Sequence, residues 1–187
     1  MNLIRKGVKG LLSLHWNFMT FCSDVSKITL NDFINIMKLN NINFASNEFK
    51  DIFNYFSNNS KYLDFNRFIR FFKKELNESK LDIVEKIFLS LKYDNSEENE
   101  EIPMSLIKNR YTAKRHPDVI GHRKTEAEKI NEFKESFDIN YNILNSKQNN
   151  NNSTLVDFDM FANFYEYVSF IYENDDEFKD LLISTWC

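Results

Sequence analysis

Apolar residues recur along this chain at intervals of three and four, the spacing that places them on one face of an α-helix. Leu11, Leu14, Phe18 and Phe21 form one such set, and Phe49, Ile52, Phe53 and Phe56 a second. Phe68, Ile69 and Phe72 follow, then Val84, Ile87, Phe88 and Leu91. The second half gives Ile130, Phe133 and Phe137, then Phe161, Phe164, Tyr165 and Val168, and finally Phe178, Leu181 and Leu182. Most of these side chains are expected to pack as core. With only 3 Gly and 2 Pro in 187 residues, the chain lacks the turn residues of an all-β fold, so the fold class expected is all-α.

The breaks between helical stretches are polar, and four of them end alike: an apolar residue, a capping residue, then a new helix. They read ITLNDF from Ile28, LDFNRF from Leu63, IPMSLI from Ile102 and VDFDMF from Val156. An internal repeat of this kind has the skeleton of the EF-hand. There a twelve-residue loop joins two helices, and its eighth position is an apolar anchor that pairs with its twin in the neighbouring hand. Ile28, Leu63, Ile102 and Val156 take that position. Thr29, Asp64 and Asp157 follow as N-caps, and Pro103 suits a helix start. The architecture expected is four EF-hand-like units in two paired lobes plus a C-terminal helix. Residues 1–77 would form the first pair and 78–187 the second, with an Asn-rich insert at 145–153.

The ligand positions depart from that skeleton. Calcium needs about 6–8 oxygens, including a bidentate Glu at position 12 and a Gly at position 6. Counting from the anchors, position 12 holds Asp32, Arg67, Leu106 and Met160. Position 1, ordinarily Asp, holds Cys22, Ser57 and Lys92 in the first three hands, and no glycine lies in a loop. No calcium or other cofactor is therefore expected. Residual weak candidates are Asp94, Ser96 and Glu98 in the acidic run DNSEENEE, and Asp138, Asn140 and Asn142, which imitate the opening of a calcium loop. Solvated polar loops are the plain reading of both.

Composition narrows the function classes. Hydrophobic residues make up 42% and charged residues 28% of the chain, as in a globular protein, and a net charge of −4 does not suggest a nucleic-acid binder. Two cysteines, Cys22 and Cys187, do not make a disulfide framework. No stretch approaches the roughly 20 apolar residues of a membrane span, and the N-terminal run is broken by His15 and Asn17, which argues against a signal sequence. A cytoplasmic protein without membrane insertion is expected. His116 and His122 have no cysteine near them and read as turn histidines, not zinc ligands. His15 with Cys22 lacks an orienting group for a thiol nucleophile. No phosphate loop, zinc-hydrolase motif or catalytic carboxylate pair is visible, so an enzyme is not expected.

Several stretches resemble the calcyphosin and calcyphosin-like family. RKGVKGLLSL (Arg5 to Leu14) resembles that family's opening, and LDFNRF its second-hand IDFNEF, with Arg67 in place of Glu. YTAKRHP (Tyr111 to Pro117) resembles its YNAKxHP after the third hand, and FYEYVSFIYENDDEFKDLLISTW (Phe164 to Trp186) its last helix pair. The resemblance implies two EF-hand pairs and a signalling, ciliary or cytoskeletal setting. Its calcium binding does not carry over to the altered loops.

The function expected is a calcium-independent protein-binding adaptor or scaffold, with a cytoskeletal component or an amphipathic helix as partner. Phe21, Phe33, Met37, Phe53, Phe56 and Phe72 are the candidates to line its first groove, unless they fill a closed core. The alternative is a weak calcium sensor with one residual site in the second lobe.

Overall fold

The structure is a computed structural model that describes residues 6–94, 100–146 and 154–187. It is predominantly helical and divides into two compact units, Met1–Lys74 and Glu75–Cys187. Among the described residues no helix is long and apolar enough to cross a membrane.

The N-terminal unit contains α1 (Gly7–Phe21), a 3₁₀ turn (Val25–Lys27), α2 (Leu30–Leu39), α3 (Ser46–Ser57) and α4 (Phe65–Arg70). α2 starts where Thr29 and Asp32 form a reciprocal capping box, and α4 starts where Asp64 accepts the Arg67 N–H. α3 ends at Asn58, which with Asn59 takes the left-handed conformation that asparagine tolerates (φ 52° and 58°). The Leu63 N–H donates to the Ile28 carbonyl at 3.0 Å, tying the two interhelical loops together through buried residues. The core is largely phenylalanine. Phe68 stands 5.1–5.5 Å, centroid to centroid, from the rings of Phe18, Phe33, Phe56 and Phe72, mostly edge to face.

The C-terminal unit contains α5 (Glu78–Asp94), β1 (Ile102–Pro103), α6 (Met104–Arg110), α7 (Pro117–Ile120), α8 (Glu126–Asn145), β2 (Leu155–Val156), α9 (Phe158–Ile171) and α10 (Asp175–Trp186). β1 and β2 pair antiparallel with Ile102 opposite Val156, both fully buried. The two strands join the segments before α6 and α9 as the Ile28–Leu63 bond joins those before α2 and α4. Thr125 and Glu128 cap α8, Asp157 caps α9 and Asn174 caps α10. α5 packs against α9 and α10. Phe133, Phe137, Phe161, Phe164 and Tyr165 fill the centre, and the Trp186 indole N–H donates to the Tyr165 hydroxyl at 2.8 Å.

Candidate functional site

The loops before α2, α4, α6 and α9 are where sequence placed the ion chemistry, and in the loops before α2, α4 and α9 the described aspartates are engaged within the protein. In the first, Asp24 accepts the Ser26 hydroxyl at 2.5 Å and its N–H at 2.9 Å, with Lys27 at 3.1 Å. These bonds, those from Ser26 first, lower its pKa to about 2. Asp32 accepts both the Thr29 N–H (3.0 Å) and its hydroxyl (2.7 Å). In the second loop Asp64 accepts the Arg67 N–H at 2.9 Å. The Arg67 guanidinium turns back onto α3 and lies 4.7 Å from the centroid of the Tyr55 ring.

In the C-terminal unit, Ser96 and Glu98 lie outside the described residues, as does the Asp94 side chain at the end of α5. The triplet Asp138, Asn140 and Asn142 is inside α8, not at the opening of a loop. Residues two apart on a helix point to widely different directions, so these three cannot surround one ion. Asp138 pairs with Lys108, and Asn140, buried, donates to the Met160 carbonyl at 3.2 Å. The expected loop start is thereby corrected: the face formed by Phe133, Phe137, Asn140 and Ile143 is buried, and it carries the helix through its polar tail. Asp157 accepts the Met160 N–H at 2.7 Å. Among the described residues no three His, Cys, Asp or Glu side chains are grouped to hold a metal.

Of the six groove candidates, Phe33, Met37, Phe53, Phe56 and Phe72 are buried in the closed core of the N-terminal unit. They do not line an open groove. Phe21 is different: it is 65% exposed at the end of α1, because the chain leaves the helix at Cys22 in extended conformation. Together with Cys22, Asp32, Asn35, Ile36 and Leu39 it borders a shallow depression of about 320 Å³. Leu39 on its rim is also exposed. Burial, with Asp32 adding to it, raises the Cys22 thiol above its ordinary range, which disfavours the thiolate.

His15 and Cys22 face separate surroundings. His15 packs edge-on against Phe65 at 5.5 Å, and burial, aided by the positive charge of Lys73, lowers its pKa to about 4. His116 is buried as the N-cap of α7, where its Nδ1 accepts the Asp118 N–H at 3.0 Å. Burial first, then Lys129, lowers its pKa to about 4. His122 lies outside this pocket, in a left-handed turn (φ 54°).

One polar site had no signal in the sequence. Lys80 is 1% exposed. Its ammonium donates to the Tyr172 carbonyl (2.7 Å), the Glu173 carbonyl (3.0 Å) and Ser169 Oγ (3.1 Å), with Asp175 at 3.7 Å and the Phe178 ring beneath it at 4.9 Å. It binds the end of α9 to the start of α10. A lysine one turn into an amphipathic helix reads as solvated, and only the neighbouring helix end reveals its role.

No protein-family model matches the chain, and no curated protein is similar to it at a significant level.

Proposed function

We propose that this chain is a non-catalytic, EF-hand-like scaffold of the calcyphosin type that binds a protein partner without calcium. The observation that carries this reading is the separation of the two halves of the EF-hand pattern. The anchors pair, Ile28 with Leu63 and Ile102 with Val156, and all four are buried. Asp24, Asp64 and Asp157 of these loops meanwhile serve as helix caps, and position 12 carries Arg67, Leu106 and Met160 beside the capping Asp32. A loop whose shape is held by caps and backbone pairing keeps the scaffold while giving up the ion. The partner surface consistent with this is the Phe21–Ile36–Leu39 depression, which suits one or two apolar side chains of an amphipathic helix. A cytoplasmic, cytoskeleton-associated setting fits the calcyphosin resemblance.

Calorimetric calcium titration with amide NMR tests the reading. No heat and no shift change up to millimolar calcium is the expected result. Micromolar binding with shifts centred on residues 94–101 would overturn it in favour of a calcium sensor. The partner half is read by fluorescence anisotropy with a panel of labelled amphipathic helical peptides. A binding peptide should show the same affinity in calcium and in chelator, and lose it in Phe21→Asp.

A further inference from the structure

The N-terminal unit exposes a basic, aromatic face away from its core. Arg67, Arg70 and Phe71 are spaced i, i+3, i+4, which puts them on one side of α4 and of the helical residue that follows it. Phe71 is 53% exposed and Tyr55, beside it on α3, 61%. Both rings rest on Phe56, at 5.6 and 5.0 Å, so the distance between them is no greater than these two together. The Arg67 guanidinium is held over Tyr55. A stacked guanidinium keeps its N–H edge available to a carboxylate, and Tyr, Phe and Arg are the side chains that dominate protein–protein contacts. The acidic residues nearest in sequence are Asp51, one turn before Tyr55, and Asp64, which caps α4.

The C-terminal unit exposes a face of the opposite kind. α5 buries Val84, Ile87, Phe88 and Leu91 and exposes Leu81, Leu89 and Tyr93, the last two at 53% and 87%. Leu81, Glu85, Leu89 and Tyr93 follow one another at i+4, a single stripe on which Leu81 and Leu89 stand about 12 Å apart. Glu78 and Asp82 border it and Glu85 lies within it, against Lys86, which pairs with Asp82 at 2.8 Å, and Lys92 in the last turn.

We propose that the chain associates head to tail with a second copy of itself: the Tyr55–Arg67–Arg70–Phe71 face of one copy receives the Leu81–Glu85–Leu89 stripe of another. Charge selects this occupant. Residues 1–74 carry a formal charge of +6 and residues 75–187 one of −10, so each unit attracts the other kind and repels its own. Each face pairs two apolar anchors with charge of the complementary sign. The contact is heterologous, so every copy that joins still offers one basic and one acidic face, and association grows as a chain or closes as a ring. Exposed charges make it weak and sensitive to salt.

Sedimentation velocity on the full chain, from micromolar to near-millimolar concentration, reads this directly. At low salt (~20 mM) the average mass should rise with concentration to at least twice the 22.4 kDa monomer, and in about 0.5 M salt it should return to the monomer. Arg67→Glu with Arg70→Glu, and separately Asp82→Lys with Glu85→Lys, should each stop association while the circular dichroism stays that of the parent. Mixing the two variants should restore association, because each keeps one intact face for the other and their altered faces carry exchanged, still complementary charges. A monomer at every concentration, or association that neither double variant weakens, overturns the proposal. So does binding of a non-associating parent to phosphatidylserine vesicles that is lost in Arg67→Glu with Arg70→Glu, which would give the basic face to a membrane surface.

Discussion

The N-terminal unit carries eleven lysines and arginines against five acidic residues, and the C-terminal unit thirteen against twenty-three. Their interiors differ as much as their surfaces. The first is a cluster of phenylalanine rings in which, among the described residues, Asn40 and Ser57 are the buried polar ones. The second buries Lys80, His116, Ser136, Asn140, Ser169 and Thr185 among its aromatics. Both hold helices around a pair of buried aliphatic residues, Ile28 with Leu63 and Ile102 with Val156, and fill the space around them in two different ways. Ring packing fixes a core by shape and loses its contacts when one ring is removed. A hydrogen-bonded core fixes which helix end meets which, at the cost of leaving orphan groups when one partner is lost.

That difference sets the size and place of the effects expected from substitution. The largest is Phe68→Ala, which removes the ring shared by four neighbours and should destabilise the N-terminal unit by about 3–5 kcal/mol. Trp16 and Trp186 lie one in each unit, so single-tryptophan variants followed in urea separate the two transitions. Only the Trp16 transition should move. An equal shift of both would mean the units unfold as one and the comparison fails.

Lys80→Ala should cost the C-terminal unit about 3 kcal/mol, because the Tyr172 and Glu173 carbonyls lose their donor in a buried setting. Lys80→Met should recover only the packing part of that loss, since an unbranched apolar chain refills the volume but leaves both carbonyls without a donor. A loss below about 0.5 kcal/mol in the alanine variant would make the ammonium a bystander.

The pH response tests whether the two units share a weakness. His15 and His116 titrate near 4 in the fold and near 6.5 when unfolded. The unfolded chain therefore takes up protons first on acidification. Stability is full above about pH 6.5 and falls as pH drops toward 4. Imidazole NMR titration should find both midpoints well below 6.5, and His15→Leu should flatten the slope of the Trp16 transition alone. A midpoint near the ordinary value for either ring would remove that unit from the argument.

The smallest effects belong to the caps, which the units share. Thr29→Ala and Asp157→Ala should each cost about 1 kcal/mol in their own transition, because each leaves a first-turn N–H unsatisfied. Markedly unequal losses would show that one loop depends on something besides its cap.

Much of this architecture is legible in the residues themselves. Every residue that period-3.6 spacing put on the core faces of α5 and α9 is buried, since a core-facing helix position favours an apolar side chain. Thr29, Asp64 and Asp157 were recognisable as N-caps from the apolar residue before them and the helical pattern after. Local chemistry specifies these features, so a local reading finds them.

The remainder was decided by neighbours far away in the chain. Asp138, Asn140 and Asn142 have the composition of a loop, yet the buried face around Asn140 and the Lys108–Asp138 pair hold them in α8, tertiary packing overriding propensity. Phe21 continues the apolar spacing of α1 but is exposed, because among the described residues no element covers the last turn where the chain departs at Cys22. Lys80 reads as a surface cation until the carbonyls of residues 172 and 173 are brought around it from about ninety positions away. The sequence by itself determined helices, caps and anchor pairs, whose causes lie within one or two turns. Only the tertiary structure decided which groove candidates close into core, which cation is buried and which faces of α4 and α5 remain in solvent, because burial is a property of what packs against a residue and not of the residue alone.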